Sequence, residues 1–168
     1  MKESISRYRQ RSDVTQESIA IDLGTNKSHI SNIEAGRRKA SMGVYEKAFS
    51  TADDPRFLND LIHETTQGYG VPTPSNEVFD DHRMSLIYRA KREIHEFVEM
   101  CTNHCLDKHP NHLNEDEVEA VSRLYAEAED ALFELQGFVM KMAEDYDFIK
   151  PRQSSKNRNL RLKMQRRI

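Results

Sequence analysis

The sequence contains little of what secreted, membrane-bound or catalytic proteins need. Its two cysteines are too few for a disulfide framework and fit a reducing compartment better. No apolar run approaches the roughly 18 residues of a membrane-spanning helix, and no charged-then-apolar leader opens the chain. P-loop, nucleophile-elbow and HExxH zinc-protease motifs are also absent. We therefore expect a soluble, cytoplasmic protein that is not an enzyme and has no cofactor and no membrane partner.

Charge is distributed unevenly along the 168 residues. Residues 1–50 carry nine Lys or Arg against six Asp or Glu, a net charge of +3, whereas residues 51–149 carry eight against 22, a net charge of −14. Residues 150–168 carry eight bases and no acid, a net charge of +8. Because DNA phosphates repel an acidic surface, the basic ends and the acidic middle are expected to have separate functions.

The stretch from Thr15 to Gly36 contains two short helical patterns separated by a glycine. Thr15 is a candidate N-cap for the first helix, and Gly24 stands where that helix must end with a positive φ. Thr25 or Asn26 is the candidate N-cap of the second helix. The apolar positions recur at three- and four-residue steps and are expected to point inward: Ile19, Ala20, Leu23, Ile30 and Ile33. Two such helices form a helix-turn-helix, whose second helix can lie in a DNA major groove.

This stretch resembles the Xre/Cro-type, lambda-repressor-like helix-turn-helix family over about the first 50 to 65 residues. The resemblance rests on positions that match in register without a gap: Arg9, Thr15, Gln16, Glu17, Ser18, Ile19, Ala20, Gly24, Ile30, Ser31, Asn32, Ile33, Glu34, Gly36 and Arg37. It implies an all-α domain of five short helices around one core, spanning residues 1–66. Residues 3–11, the apolar pattern at 44–49 and the segment that follows Pro55 supply the other three helices.

The resemblance also indicates which side chains meet DNA. The family reads base edges with the residues that open the second motif helix, which here are Lys27 and Ser28, together with Asn32 one turn later. Arg9 and Glu34 match a family pair that bridges the first and third helices and has a structural role. Phosphate contacts are expected from six residues: Gln16, Asn26, His29, Arg37, Arg38 and Lys39. The alternative is that all of these side chains are merely solvent-facing polar residues.

The middle of the chain predicts a linker followed by a helical hairpin. Residues 67–76 contain two Gly and two Pro and have no helical period. Residues 77–149 contain two long helical patterns, at about 77–109 and about 114–146, which Pro110 and its polar neighbours separate. These patterns predict an antiparallel pair of helices.

The hairpin is expected to associate with itself. Neither helix can bury its apolar stripe with one partner, and no third helix is available in the sequence, so a homodimer or larger bundle is predicted. The alternative is that the hairpin packs on its own N-terminal domain. The residues expected at the oligomer interface are these: Ile87, Ile94, Phe97, Leu124, Leu132, Leu135 and Phe138.

Residues 150–168 are too basic to form a stable core and are predicted to be a flexible tail. Three interpretations remain open for this tail. It adds nonspecific phosphate contacts, it folds against the acidic middle of its own or a neighbouring subunit, or it stays disordered and aids solubility.

A cluster of cysteine and histidine residues at 101–112 suggests a zinc site at first sight, because thiolate and imidazole are zinc ligands. It comprises Cys101, His104, Cys105, His109 and His112. However, Cys101 continues the apolar stripe, and Pro110 disfavours helix at His109. The spacing also differs from that of structural zinc sites. We therefore predict an apolar helix followed by a polar loop, without a metal.

Together these patterns predict a sequence-specific transcriptional regulator that binds double-stranded DNA as a homodimer or higher homo-oligomer. The family resemblance implies that it acts as a repressor. The sequence shows no ligand domain and no self-cleavage signature, so relief of repression by a separate protein anti-repressor or peptide remains open. An antitoxin-like interaction partner with autoregulatory DNA binding is the main alternative, and a sequence-indifferent nucleoid protein is a third.

Overall fold

Every regular element in the described part of the chain is a helix, which confirms the predicted all-α fold class. The computed structural model describes residues 1–74, 82–103, 106 and 108–168. These residues form two compact units, of which the first combines residues 1–72 with 143–168 and the second comprises residues 73–142. No helix in the described ranges combines the length and apolar character that crossing a membrane requires.

The first unit contains the five short helices that the sequence predicts. Their bounds are α1 Lys2–Ser12, α2 Gln16–Asp22, α3 Lys27–Glu34, α4 Met42–Thr51 and α5 Pro55–Thr65. Helix α1 packs on α3 and α5, while α2 packs on α3 and α4. Pro55 occupies the start of α5, where its missing N–H costs nothing.

One apolar core holds these five helices together. Tyr8 stacks on Phe57 at the α1–α5 contact, with 4.6 Å between the ring centroids. All the apolar positions predicted for the helix-turn-helix are buried, so the periodicity identified the inward faces correctly. The core consists of Met1, Ile5, Ile19, Ala20, Leu23, Ile30, Ile33, Val44, Ala48, Phe57 and Leu61.

The turn between α2 and α3 has the caps that its sequence predicts. The Thr15 hydroxyl accepts a hydrogen bond from the Ser18 N–H at 3.1 Å, which caps α2. Of the two candidate caps for α3, Asn26 has this role, and its side-chain oxygen accepts the His29 N–H at 2.8 Å. Gly24 between them has φ +63°, in the left-handed region.

The C-terminal segment, residues 150–168, is not the flexible tail that its composition suggests. Residues Pro151–Met164 form helix α8, which belongs to the first unit. Its anchor is Arg152, whose backbone N–H donates to the Asp53 carboxylate at 2.8 Å. The Arg152 side chain donates to the carbonyl oxygens of Ala52 and Phe49, both at 2.6 Å. Composition could not reveal these contacts, because they join residues about a hundred positions apart.

The second unit contains a helical hairpin formed by α6, Arg83–Asn103, and most of α7, Glu115–Asp145, with a short 3-10 helix at Pro110–His112 between them. Within the predicted span of 77–109, the structure gives α6 as Arg83–Asn103, and the described residues 82, 106, 108 and 109 are not α-helical. His109 is extended, because the residue before a proline is pushed out of helical geometry. Residues 75–81, 104, 105 and 107 lie outside the described residues.

The two long helices run antiparallel, as predicted. Arg89 of α6 pairs with Glu134 of α7 at 3.0 Å. Leu86, three residues before Arg89, lies against Gly137, three residues after Glu134, so the two helices run in opposite directions. The buried side of α6 comprises Leu86, Ala90 and Glu93. Ile87 and Ile94, which are predicted at the oligomer interface, lie at the edge of this contact and are 36% and 37% exposed.

Replacing Gly24 by alanine should lower the free energy of unfolding by about 1–2 kcal/mol, the cost of a left-handed conformation for a residue with a Cβ. No atom lies within 4 Å of an added Cβ at this position, so the whole effect comes from the backbone. Urea unfolding of the full chain, followed by circular dichroism, measures the difference.

Gly43→Ala is the matched control. Gly43 also has nothing within 4 Å of an added Cβ, but it lies in α4 and does not have a positive φ. Alanine is a better helix former than glycine by up to about 1 kcal/mol, so this variant should be neutral or more stable. Equal destabilisation by the two substitutions would contradict the conformational explanation for Gly24.

Candidate nucleic-acid interface

Helix α3 is held by its inner face and leaves its outer face open. Ile30 and Ile33 are 0% and 1% exposed and fix the helix against α1 and α2. On the opposite side, Lys27 and Ser28 are exposed and Asn32 is half-buried. None of these three side chains forms a hydrogen bond or ion pair within the described residues. Their donors and acceptors are therefore available to a ligand in this structure.

The chemistry of this outer face suits base edges. A lysine ammonium can donate to guanine O6 and N7, and an asparagine carboxamide can pair with both N6 and N7 of adenine. Ser28 lies one turn before Asn32 on the same helix, so the two project from one face. An α-helix with its side chains is about 10–12 Å across, which a major groove about 12 Å wide admits.

An ion pair locks the position of α3 relative to α1 and α2. The Arg9 guanidinium donates to both carboxylate oxygens of Glu34, at 2.6 and 3.2 Å, and to the Val14 carbonyl at 3.0 Å. The Gln16 side-chain amide also donates to Glu34, at 2.5 Å. The structural role expected for Arg9 and Glu34 is thus confirmed. The Arg9–Glu34 contact joins the end of α1 to the end of α3, and Gln16 joins the start of α2 to Glu34.

Three residues expected to contact phosphate have other contacts in this structure. The Gln16 amide nitrogen is engaged by Glu34, which leaves the backbone N–H groups that open α2 as the donors at this site. Asn26 uses its side-chain oxygen as a cap but stays exposed. His29 faces the turn, since its Nδ1 lies 2.8 Å from the Thr25 hydroxyl and its Nε2 is buried without a partner. A phosphate contact from His29 would therefore require its ring to rotate outward.

The basic run after α3 is open to solvent. Arg37, Arg38 and Lys39 are all exposed and form no ion pair with any acid in the described residues. Gly36, with φ +71°, turns the chain out of the helix, and the N–H groups of Arg37 and Arg38 both donate to the Asn32 carbonyl. This run therefore starts directly beside the outer face of α3.

A cleft of about 330 Å³ between the Gly24 turn and α4 was not anticipated from the sequence. Its polar lining includes Ser41, Lys47 and the inward-turned His29. Ser41 opens α4, and its hydroxyl makes no capping hydrogen bond. A helix N-terminus, a free hydroxyl and an ammonium together can bind a phosphate group. The sequence feature that could have predicted this cleft is Ser41 at the start of α4 with Lys47 six residues later.

The residues predicted for oligomerisation differ in their exposure. Leu132 is 55% exposed and Leu135 is 37% exposed, which leaves both available to a partner, as are Ile87 and Ile94. Phe97 and Phe138 are half-buried. Leu124 is only 6% exposed. It lies in the interior of the hairpin, so it offers less surface to a partner than the other predicted residues do.

The cysteine and histidine cluster is only partly described. Cys101 is half-buried near the end of α6, and the His109 and His112 rings lie 5.6 Å apart in the following loop. His104 and Cys105 lie outside the described residues. Elsewhere in the hairpin, Glu93, Glu127 and Asp130 bring carboxylate oxygens within 4.8 Å of one another. Arg92 pairs with Glu93 at 2.5 Å and offsets part of this acidic charge.

Comparison with known proteins agrees with this geometry. Residues 5–51, which include the outer face of α3, match a family model described as a helix-turn-helix domain. No curated protein and no solved structure matches the chain. The matched residues include the helix caps, the glycine turn and the Arg9–Glu34 ion pair. Residues 5–51 are therefore a helix-turn-helix domain consistent with the Xre/Cro-like family, the domain of a DNA-binding regulator.

Proposed function

We propose that the chain is a sequence-specific transcriptional repressor that binds operator DNA as a homodimer or higher homo-oligomer. The observation that carries the proposal is the outer face of α3, where Lys27, Ser28 and Asn32 form no hydrogen bond or ion pair within the described residues. The polar atoms of these side chains are not used in the hydrogen bonds and ion pairs that hold the described fold together. They gain partners when the helix enters a major groove.

Affinity and sequence preference come from different residues in this proposal. Lys27, Ser28 and Asn32 read base edges, whereas Arg37, Arg38 and Lys39 contact the phosphate backbone. Backbone contacts release counterions and therefore weaken as salt concentration rises, without distinguishing one sequence from another. The cleft beside Ser41 and Lys47 supplies a further phosphate contact on the same motif.

Self-association is proposed through an open apolar seam on α7. Apolar residues recur along it at alternating steps of three and four, the spacing of a coiled-coil seam. Val118, Tyr125, Leu132 and Val139 occupy equivalent positions seven residues apart and are 51%, 66%, 55% and 60% exposed. The buried contact with α6 uses a different side of α7, through Leu124 and Ala131 among others. A second copy of the seam covers this surface.

A homodimer accounts for repression by occupancy alone. Two recognition helices bound to a palindromic site lie about 34 Å apart, on successive major-groove faces of the duplex. A dimer seated on an operator that overlaps a promoter excludes the polymerase. Each monomer supplies only half of the contacts, so the oligomer sets both the affinity and the length of the site.

Substitution of Lys27 or Asn32 by alanine should weaken binding to the operator by about 1–3 kcal/mol each and relax base preference at the contacted position. The operator is first selected from a random-sequence duplex pool with the wild-type protein. Fluorescence anisotropy on that duplex, and on duplexes changed at single base pairs, then measures both effects.

Ser50→Ala is a suitable control, because Ser50 is exposed on α4 and bonds only to the Lys47 carbonyl. It should bind like the wild type. A promoter reporter that carries the selected site should be repressed by the wild type and released by Lys27→Ala and Asn32→Ala. Unchanged preference in both alanine variants would contradict base reading by α3.

Leu132→Asp should convert the assembly to a monomer of 19.6 kDa and weaken operator binding, because it places a charge in the centre of the proposed seam. Light scattering coupled to size exclusion measures the mass at micromolar concentration. Arg123→Asp is the control, since Arg123 is exposed on the same helix but lies outside the seam. It should keep the wild-type mass, and a wild-type protein that is itself monomeric would refute association through α7.

A further inference from the structure

Helix α8 carries a concentration of positive charge that the fold does not neutralise. Residues 150–168 contain eight bases and no acid. Seven of these bases are exposed and form no ion pair with any carboxylate in the described residues: Lys156, Arg158, Arg161 and Lys163 in α8, and Lys150, Arg166 and Arg167 beside it. Such a helix repels itself unless anions lie close to it.

The helix does not contribute a buried apolar face that would explain its presence. Leu160 is 62% exposed and Met164 is 78% exposed, and α8 has no buried residue. Its basic residues are distributed around the helix axis rather than gathered opposite an apolar stripe. Hydrophobic burial therefore does not account for the docking of α8 on the first unit.

Arg152 provides that docking through the end of α4. Its guanidinium donates to the carbonyls of Phe49 and Ala52, and its backbone N–H donates to Asp53. Carbonyl groups in the last turn of a helix lack partners within the helix, and the helix dipole makes this end favourable for a cation. Arg152 thus caps α4 and fixes the start of α8 at a defined point on the DNA-binding unit.

The attachment point of α8 is close to the C-terminal end of α1, which is followed in the chain by α2. Asp54, which follows the Asp53 contact, accepts two hydrogen bonds of 2.8 Å from Arg11 in the last turn of α1. Helix α2 opens at Gln16, five residues after Arg11, and presents its N-terminal backbone N–H groups there. The contacts of Asp53 and Asp54 therefore link the start of α8 to the last turn of α1, five residues before Gln16, the predicted phosphate contact that opens α2.

We propose that α8 is a second DNA-contacting element, which binds backbone phosphates beside the duplex segment read by α3. This inference rests on DNA binding by the first unit, as proposed above. The partner is duplex DNA because its backbone carries one negative charge per about 1.7 Å, enough to neutralise a helix of this charge density. Contacts from α8 add affinity and leave base preference unchanged.

The test compares two double variants with the same change in charge. Arg158→Gln with Arg161→Gln removes two bases from α8, while Lys91→Gln with Arg123→Gln removes two exposed bases from the hairpin. Anisotropy titrations at several salt concentrations use the selected operator and an unrelated duplex, and light scattering checks the oligomeric mass of each variant. If both arginines bind phosphate, the α8 variant should bind both duplexes at least tenfold more weakly at about 0.1 M salt. The slope of its salt dependence should be shallower by about 0.9 for each phosphate that the variant no longer neutralises.

A charge-conserving substitution tests whether α8 must be positioned. Arg152→Lys keeps the net charge, but a lysine ammonium lacks the planar fork that donates to two carbonyls at once. Affinity for both duplexes should fall severalfold while circular dichroism shows an intact helical fold. Wild-type affinity in this variant would overturn the positioned contact, because it would show that unanchored charge suffices.

The outcomes separate this inference from the proposed function. Wild-type affinity and salt dependence in the α8 double variant would overturn DNA contact by α8, whatever Lys27 and Asn32 do. Equal weakening in the α8 and hairpin variants would also overturn it, because a general effect of net charge would explain both. If the α8 variant binds more weakly while Lys27→Ala and Asn32→Ala leave base preference unchanged, α8 contacts DNA and the base-reading proposal fails.

Discussion

Burial of two isoleucines determines which face of α3 is open to a ligand. Ile30 and Ile33 have essentially no exposed surface, and they anchor α3 by one side only. The Arg9–Glu34 ion pair then fixes the helix along its axis, because it joins the ends of α1 and α3. A helix held in this way cannot turn its polar face toward the core without exposing both isoleucines and breaking a part-buried ion pair, which would cost several kcal/mol. The outer face of α3 is consequently a rigid, preformed surface.

The C-terminal segment extends this arrangement. Glu144, in the last turn of α7, lies 2.6 Å from Arg56, whose side chain is almost completely buried, and 3.3 Å from Arg11. A buried guanidinium needs an anionic partner, so the DNA-binding unit depends on a residue from beyond the hairpin. Arg152 adds a second attachment eight residues later. The five-helix domain is therefore completed by residues that follow the hairpin, which makes it larger than the segment that the helix-turn-helix match covers.

Local sequence signals predicted the helix-turn-helix closely. The other parts of the fold depend on contacts between residues far apart in the chain, which the sequence alone did not reveal. Caps at Thr15 and Asn26 and the glycine at Gly24 depend only on neighbouring residues, so the sequence shows them directly. The docking of α8 depends on main-chain carbonyls of α4, which have no sequence signature. In α6 the periodicity predicted the helix but did not decide which apolar residues face α7, and the structure buries Leu86 while Ile87 stays 36% exposed. The unexpected orientation of His29 has a similar cause, since Thr25 supplies a competing hydrogen bond.

The most direct measurement of base reading by α3 is methylation interference on a selected operator bound by the full chain. Methyl groups at guanine N7 lie in the major groove, and those at adenine N3 lie in the minor groove. Binding should be blocked by N7 methylation in two patches about 10 base pairs apart, one for each recognition helix. Interference confined to adenine N3, or binding that no methylated base impairs, would show that α3 does not enter the major groove.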